Sequence, residues 1–230
     1  MNALSSIRSV ITSLSRKGSD GGEDDMAVVN RYAPVSLQDL ASRTHYSPQE
    51  IQLIYRAFKN DCPTAIIYED KFKELYSYYF PLGDARTFAG YIFSVLDHDR
   101  TGCINFEQFL MAMSILTRGE LTEKLRWIFN LYDLNADGRI TPDELKAVVS
   151  AVHEMLGNHT TPLPPSEDTI KAQVARIFQK MDRNGDGVIT LDEFTKSCLE
   201  KSKSNGKRGF MLTTSHGGRG INISQTVLDG

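Results

Sequence analysis

Two stretches of twelve residues repeat one polar pattern, with carboxylate or amide side chains at positions 1, 3, 5 and 12. They read "DLNADGRITPDE" (133–144) and "DRNGDGVITLDE" (182–193), and both have glycine at position 6 and isoleucine at position 8. Oxygen donors at these intervals, a sharp glycine turn and a bidentate glutamate at position 12 are the requirements of a calcium-binding helix–loop–helix loop. The predicted ligands are Asp133, Asn135, Asp137, the carbonyl oxygen of Arg139 and Glu144 in the first stretch, and Asp182, Asn184, Asp186, the carbonyl oxygen of Val188 and Glu193 in the second.

The glutamate at position 12 indicates which ion these two loops prefer. Glu144 and Glu193 can each give two oxygens and complete the roughly seven-fold shell that calcium accepts. Magnesium demands a smaller octahedral shell and keeps its waters. Three carboxylates in each loop predict affinities on the order of 10⁻⁷–10⁻⁵ M, the range of calcium sensors. We therefore expect two bound Ca²⁺ ions.

A third stretch, "DHDRTGCINFEQ" (97–108), has the same frame but lacks the last ligand. Asp97, Asp99 and Thr101 stand at positions 1, 3 and 5, whereas position 12 is Gln108. A neutral amide that offers one oxygen cannot replace a bidentate carboxylate, so calcium binding here should be weak. We expect this loop to be empty or to hold Mg²⁺, which needs fewer protein oxygens.

A fourth stretch, "NDCPTAIIYEDK" (60–71), keeps the frame and almost none of the ligands. Cys62 stands at position 3, Ala65 at the glycine position and Lys71 at position 12, so this loop should not bind metal. Ile67 at position 8 can still pair with Ile104 of the next loop. This stretch would keep the helix–loop–helix frame because the next loop, which contains Ile104, needs a surface to pack against. In chain order, these stretches are loops 1 (60–71), 2 (97–108), 3 (133–144) and 4 (182–193).

The segments before the loops have apolar residues at helical spacing. Ile51, Ile54 and Phe58 show this spacing before loop 1, and similar stripes precede loops 3 and 4. A helix–loop–helix unit cannot bury its apolar face alone, so adjacent units must pair. The sequence predicts an all-α fold of four EF-hands in two pairs, 31–119 and 120–200, with a short antiparallel strand contact between the loops of each pair.

The two ends lie outside this repeat. Residues 1–30 open with an apolar helical face among basic residues and continue into an acidic linker. A membrane-surface helix, a mitochondrial presequence and a disordered leader are the alternatives for this segment. Residues 201–230 are polar and glycine-rich without a helical stripe, so we expect a disordered tail. The N-terminal face consists of Leu4, Ile7, Ile11 and Leu14, and the basic residues are Arg8, Arg16 and Lys17.

Composition excludes several functional classes. Charged residues are 24% of the 230 and the net charge is −3, which does not indicate a nucleic-acid binder. No apolar run reaches the roughly 18–20 residues of a membrane span. The three cysteines have no metal-ligand spacing and are expected to be reduced thiols of a cytosolic protein. No nucleophile–base pair, catalytic zinc signature or phosphate loop is present, so we do not expect an enzyme.

The order of the loops, with Cys62-Pro63 in a metal-free loop 1, an impaired loop 2 and two complete loops, resembles the neuronal calcium sensor proteins. The resemblance covers about residues 31–200 and looks closest to the Kv channel-interacting proteins. The matching stretches are "RYAPVSLQDL" (31–40), "YRAFKNDCP" (55–63), "YYFPLGDARTFAGYIF" (78–93), "MSILTRG" (113–119), "EKLRWIFNLYD" (123–133) and "FQKMDRNGDGVITLDEF" (178–194).

The resemblance implies a calcium-sensing cytoplasmic subunit of A-type voltage-gated potassium channels. Such subunits bind the channel's N-terminal helix in an apolar groove, raise its surface expression and slow its inactivation. It implies a place beside the plasma membrane through the channel, in a homo-oligomer or a channel octamer, with any direct membrane contact through residues 1–30. The groove residues carried over by position are Trp127, Phe109, Leu116, Tyr132, Tyr55 and Tyr76.

Two features depart from these relatives. The chain begins Met1-Asn2 and its first cysteine is Cys62, so no N-terminal lipid anchor is expected. The polar tail also replaces the apolar final helix that covers the groove in relatives.

The alternatives to a potassium-channel subunit are a sensor for another client, such as a cyclase, a receptor kinase or a phosphatase, and a calcium-responsive transcription repressor in the nucleus. Binding to nucleic acid is not expected, because the folded region lacks a basic stripe.

Overall fold

The structure is a computed structural model that describes residues 36–157 and 166–204. Within these ranges the chain forms nine helices and four short strands, with two helices before each strand and one after the last. The predictions for residues 1–30 and for 205–230, and most of the proline-rich connection between loops 3 and 4, lie outside them. The elements are α1 (Leu37–Arg43), α2 (Pro48–Asp61), β1 (Ile66–Tyr68), α3 (Glu69–Tyr79), α4 (Arg86–Leu96), β2 (Cys103–Asn105), α5 (Phe106–Arg118), α6 (Leu121–Tyr132), β3 (Arg139–Ile140), α7 (Pro142–Leu156), α8 (Glu167–Met181), β4 (Ile189–Thr190) and α9 (Leu191–Ser204).

The strands join the loops in pairs, as the isoleucines at position 8 predict. β1 pairs antiparallel with β2, with Ile67 opposite Ile104, and β3 pairs antiparallel with β4, with Ile140 opposite Ile189. All four isoleucine side chains are buried in the core. The predicted all-α fold of four EF-hands in two pairs, with short strand contacts between loops, is confirmed.

The helices begin where the sequence places N-caps. The Ser47 hydroxyl accepts from the N–H of Glu50, the Glu50 carboxylate accepts from the N–H of Ser47, and Pro48 stands at the first helical position of α2. Positions 9 and 12 of loop 2 form the same box at the start of α5, from Asn105 and Gln108. Such boxes satisfy backbone N–H groups that a helix start leaves unpaired. The residue at position 12 therefore also starts the helix that leaves the loop.

Two helix boundaries differ from the sequence expectation. The short helix α1 was not predicted, although Ser36 caps it by accepting from the N–H of Asp39 at 3.1 Å. At the other end, α9 continues to Ser204, four residues beyond the boundary placed at 200. The start of the tail was therefore placed too early. No glycine or proline lies between Leu191, where α9 begins, and Gly206. The sequence therefore contains no residue that would end the helix at position 200.

The two EF-hand pairs meet where the turn between α3 and α4 contacts the end of α7. The N–H of Asp84 donates to the carbonyl oxygen of Glu154 at 2.9 Å, and α4 packs along α7. A Cβ on Gly83 would lie 2.2 Å from that same carbonyl oxygen, and a Cβ on Gly157 would lie 2.0 Å from the carbonyl oxygen of Leu82. Only glycine fits at either position, because the two backbones touch there.

Replacing Gly83 tests this contact. Gly83→Ala should lower the free energy of unfolding by about 1–3 kcal/mol, because the added methyl overlaps backbone atoms that cannot move aside. Gly90→Ala in α4 is the matched control, since its Cβ would meet only the ends of two flexible side chains, Lys73 at 3.3 Å and Glu69 at 3.8 Å. Chemical denaturation should find the control unchanged or more stable by up to about 1 kcal/mol. Equal stability of both variants would contradict the close backbone contact.

Candidate metal centre

Loop 3 folds around the side chain of its first residue. Asp133 accepts from the N–H of Asp137 at 3.1 Å through Oδ1 and from the N–H of Gly138 at 2.9 Å through Oδ2. Gly138 has φ +84°, a conformation that L side chains rarely adopt. Asn135 Oδ1 also accepts from the Asp137 N–H, and Asp137 Oδ1 accepts from the N–H of Arg139. These contacts turn the side chains at positions 1, 3 and 5 toward the inside of the loop.

Loop 4 repeats this arrangement, except that its first residue accepts from position 4 where that of loop 3 accepts from position 5. Asp182 accepts from the N–H groups of Gly185 at 2.8 Å and Gly187 at 3.0 Å. Asn184 Oδ1 accepts from the N–H of Asp186, whose own carboxylate accepts from the N–H of Val188. The same residue types at the same spacing thus give the same local fold in both loops.

The glutamate at position 12 joins the end of each loop to its beginning. Glu144 accepts from the N–H of Thr141 at 2.9 Å through Oε2, and from the N–H of Asn135 at 3.2 Å through Oε1. Glu193 likewise spans its loop, from the N–H of Thr190 to that of Arg183. The hydrogen bond from the Thr190 N–H is the main cause that lowers the pKa of Glu193, so this carboxylate stays ionised at neutral pH.

Loop 3 carries more negative charge than its own hydrogen bonds compensate. Burial raises the pKa of Asp133, and the charges of Asp137 and Glu144 add to the increase despite the N–H groups of Asp137 and Gly138. A raised carboxyl pKa means that the ionised form is disfavoured where it stands. A bound divalent cation would supply the missing positive charge and reverse that preference.

The donor set of loops 3 and 4 fits a calcium ion. Each loop offers three carboxylates, one amide oxygen and one backbone carbonyl, and calcium accepts 6–8 such oxygens. No group of three or more His, Cys, Asp or Glu side chains within residues 36–157 and 166–204 is arranged so that it could hold a metal ion. The ligand assignments stay a prediction.

Loop 2 has the same frame, but the side chain at position 12 presents a donor. Asp97 accepts from the N–H groups of Thr101 at 2.9 Å and Gly102 at 2.8 Å, as the first residues of loops 3 and 4 do. Gln108 Oε1 accepts from the N–H of Asn105 at 2.9 Å, which leaves Nε2 to donate to Asp99 Oδ1 at 2.6 Å. Burial alone would raise the pKa of Asp97, but its hydrogen bonds, first those from the N–H groups of Thr101 and Gly102, together outweigh burial and lower that pKa.

Loop 1 is not folded as a metal loop. Helix α2 continues through Asp61 and is capped at Cys62, whose N–H donates to the carbonyl oxygen of Phe58 at 2.8 Å. The helices before the other loops end at position 1 instead, with Asp97, Asp133 and Asp182 as their C-caps. The first two positions of loop 1 are therefore helical. Lys71 pairs with Glu74 at 3.3 Å on the exposed surface.

The residues predicted to line a partner groove are mostly in the core. Trp127, Phe109, Leu116, Tyr132 and Tyr76 are 8% exposed or less, and only Tyr55 is accessible, at 40%. Phe109 packs against Phe58 with ring centroids 4.8 Å apart. Within the described residues these six side chains do not form one open groove, because five of them are buried. The groove stays a prediction for a partner-bound state.

Trp127 and Tyr132 line different cavities, although they lie on the same helix. Tyr132 borders an apolar space of about 10 Å³ beneath β3 and β4. Trp127 borders a cavity of about 400 Å³ beside loop 2. The apolar wall of this larger cavity consists of Val95, Leu96, Met111, Ala112, Ile115 and Trp127, and its polar wall consists of Arg43, His98, Asp99, Asn105, Glu107 and Gln108.

The half-buried residues of α5 on this wall were not identified from the sequence. Met111 and Ile115 are half-buried, whereas Leu110 and Ala112 on the same helix are buried. A helix that is apolar on more than one side is the signal that could have revealed them, because one side then has no need to face the core.

Comparison with known proteins agrees with this geometry. Residues 122–199 match the family model of an EF-hand domain pair. The chain is 39% identical over 171 residues to neuronal calcium sensor 1 of Lymnaea stagnalis, and the alignment covers 74% of this chain and 89% of that relative. The chain belongs to the neuronal calcium sensor family. Membership implies Ca²⁺ binding, while the number of occupied loops and the narrower Kv channel-interacting subfamily stay predictions.

Removing one glutamate oxygen tests the ligand set. Glu193→Gln should weaken calcium binding at loop 4 by about tenfold to a hundredfold, because losing a contact to a charged group costs about 1.5–3 kcal/mol. Asp192→Asn is the matched control, since Asp192 pairs with Lys196 on the surface. Isothermal titration calorimetry should show the loss in the first variant only. Identical titration curves for Glu193→Gln and the unaltered chain would contradict the assignment.

A glutamate placed in loop 1 should not create a site. In Lys71→Glu the first two positions of the loop are still helical and position 3 is still a cysteine, so the ring of ligands does not form. The same calorimetry should count no additional calcium ion. One further stoichiometric ion in this variant would show that loop 1 can refold around a cation.

Proposed function

We propose that this chain is a calcium-dependent regulatory subunit that binds the cytoplasmic N-terminal helix of an A-type voltage-gated potassium channel. The observation that carries the proposal is the cavity of about 400 Å³ beside Trp127. It combines the apolar wall with the polar wall, referred to below as the polar rim, and this combination suits one face of an amphipathic helix. The potassium-channel client itself rests on the subfamily resemblance.

The apolar wall offers side chains that can move to admit a partner. Met111 and Ile115 are half-buried on α5, and Trp127 faces them from α6. Methionine is unbranched and adaptable, which favours its use at surfaces that must fit a partner helix. Burying these side chains under a partner would remove apolar area from water, and that is the main favourable contribution to association.

The polar rim can orient the partner. Arg43 on α1 pairs with Glu107 on α5 across the cavity, and His98 and Asp99 of loop 2 lie beside them. Charged groups around an apolar centre contribute specificity and association rate more than affinity. A bound helix would have to place its own polar side chains against this rim.

The cavity is connected to the calcium loops through α6. This helix carries Trp127 and ends at Tyr132, directly before Asp133, the first predicted ligand of loop 3. Any change in the direction of α6 when loop 3 binds its ion would move the Trp127 side of the cavity. Calcium would then alter the affinity for the partner by as much as the two states of the cavity differ in binding it.

None of the helices within residues 36–157 and 166–204 has the length and apolar composition needed to cross a membrane.

A charge placed in the apolar wall tests the proposal. Met111→Glu should weaken binding of a peptide with the channel's N-terminal helical sequence by at least about tenfold in the presence of calcium, because the carboxylate would be desolvated against the peptide. Leu53→Glu is the matched control, since Leu53 is 62% exposed on α2 and does not line the cavity. Fluorescence anisotropy of a labelled peptide measures both variants.

Two outcomes would contradict this assignment. Equal affinity in both variants would place the binding surface elsewhere. Failure of the channel peptide to bind the unaltered chain, with calcium-dependent binding of helices from a cyclase, receptor kinase or phosphatase, would identify another client of the same sensor.

A further inference from the structure

Loop 2 shows a contact that the calcium loops do not have. The Gln108 amide donates from Nε2 to Asp99 Oδ1 at 2.6 Å and reaches within 3.5 Å of His98 Nδ1. Gln108 is only 7% exposed while Asp99 is exposed, so this bond is partly sheltered from water. A hydrogen bond to a carboxylate is stronger than one between neutral groups, and partial burial strengthens it further.

The orientation of the Gln108 amide is fixed by the helix that follows. Its Oε1 accepts from the N–H of Asn105, the N-cap of α5, and Asn105 in turn accepts from the N–H of Gln108. With the oxygen held there, the NH₂ group must face the loop. In loop 3 the corresponding atom is Glu144 Oε1, which is an acceptor.

This donor makes one contact across loop 2 attractive, although Asp97 and Asp99 are both carboxylates. In loop 3 the residues at positions 1, 5 and 12 are all carboxylates, and they repel each other unless a cation lies between them. In loop 2 the residues at positions 3 and 12 attract each other directly, and Thr101 at position 5 is neutral. Asp97 is meanwhile satisfied by the N–H groups of Thr101 and Gly102 and by the Thr101 hydroxyl.

We propose that loop 2 is closed by the hydrogen bond between Gln108 and Asp99 in place of a cation. The bond holds the beginning and the end of the loop together at every calcium concentration. Of the two alternatives for this loop, it selects the empty one, because Mg²⁺ would have to displace a buried amide from Asp99. Gln108 is thus the residue that determines whether loop 2 responds to calcium.

The closed loop also fixes one wall of the cavity beside Trp127. Asp99, Asn105 and Gln108 all line that cavity. This wall therefore keeps its shape when calcium rises, whereas the side formed by α6 leads directly into loop 3. The inference does not depend on which partner binds, since it concerns metal content and stability alone.

Gln108→Glu in the full-length chain tests the inference. It replaces the donor by a second carboxylate oxygen and completes a set formed by Asp97, Asp99, Thr101 and the carbonyl oxygen of Cys103. Gln49→Glu, the same substitution at an exposed position in the first turn of α2, is the matched control. Native mass spectrometry with Ca²⁺ or Mg²⁺ alone counts the bound ions. The expected result is one more Ca²⁺ in Gln108→Glu than in the unaltered chain or the control.

Thermal unfolding supplies a readout that does not need a bound ion. In EDTA, Gln108→Glu should melt below the unaltered chain, because Asp99 and Glu at 108 then repel each other. Calcium should raise the melting temperature of Gln108→Glu by more than it raises that of the control. Gln108→Ala should also melt lower in EDTA, and it should gain no ion, since it removes the bond without supplying a ligand.

Three results would overturn the inference. The unaltered chain could bind a further Ca²⁺ or Mg²⁺ that is lost in Asp97→Asn, which would show that a cation displaces the amide. Gln108→Glu could gain no ion, which would show that another feature of loop 2 excludes the metal. Gln108→Ala could melt in EDTA at the temperature of the unaltered chain, which would show that the bond does not stabilise the loop.

Discussion

The side chain at position 12 of loops 2, 3 and 4 has two tasks, because it is also the third residue of the helix that leaves the loop. One of its polar atoms accepts from the N–H of position 9 and starts that helix, as Glu144 and Gln108 both do. The other atom then faces the first part of the loop. In Glu144 and Glu193 this atom is a carboxylate oxygen, while in Gln108 it belongs to an NH₂ group. A single atom type thus separates a loop that needs a cation from one that is closed without it.

The strand contacts join all four units in pairs, and the helix caps at loops 2, 3 and 4 add to this order. Loop 1 lacks the metal ligands and its first two positions are helical, yet Ile67 still pairs with Ile104. We therefore expect the N-terminal pair to fold without calcium. It is joined to the C-terminal pair through the turn at Gly83 and the end of α7, which leaves loop 3. A change in loop 3 has a direct route to the N-terminal pair through α7 as well as through α6.

Local chemistry allowed much of this fold to be predicted. The spacing of oxygens, glycine and isoleucine indicates the loops, and Ser47 with Glu50 marks a helix start, because these signals act over a few residues. The extension of α2 into loop 1 was missed, since it follows from the absence of an aspartate that would draw the backbone into a turn. The contact of Gly83 with Glu154 and the burial of Phe109 and Tyr76 depend on how distant helices pack, and no pattern within one segment specifies that.

The glycines at position 6 report on the three loops separately, because each N–H donates to the aspartate at position 1. The most direct measurement is a calcium titration of the ¹⁵N-labelled chain followed by NMR at Gly102, Gly138 and Gly187. The resonances of Gly138 and Gly187 should shift until two equivalents of calcium are bound, while that of Gly102 should keep a position typical of an empty loop. A stoichiometric shift at Gly102, or no shift at Gly138 and Gly187, would contradict the account.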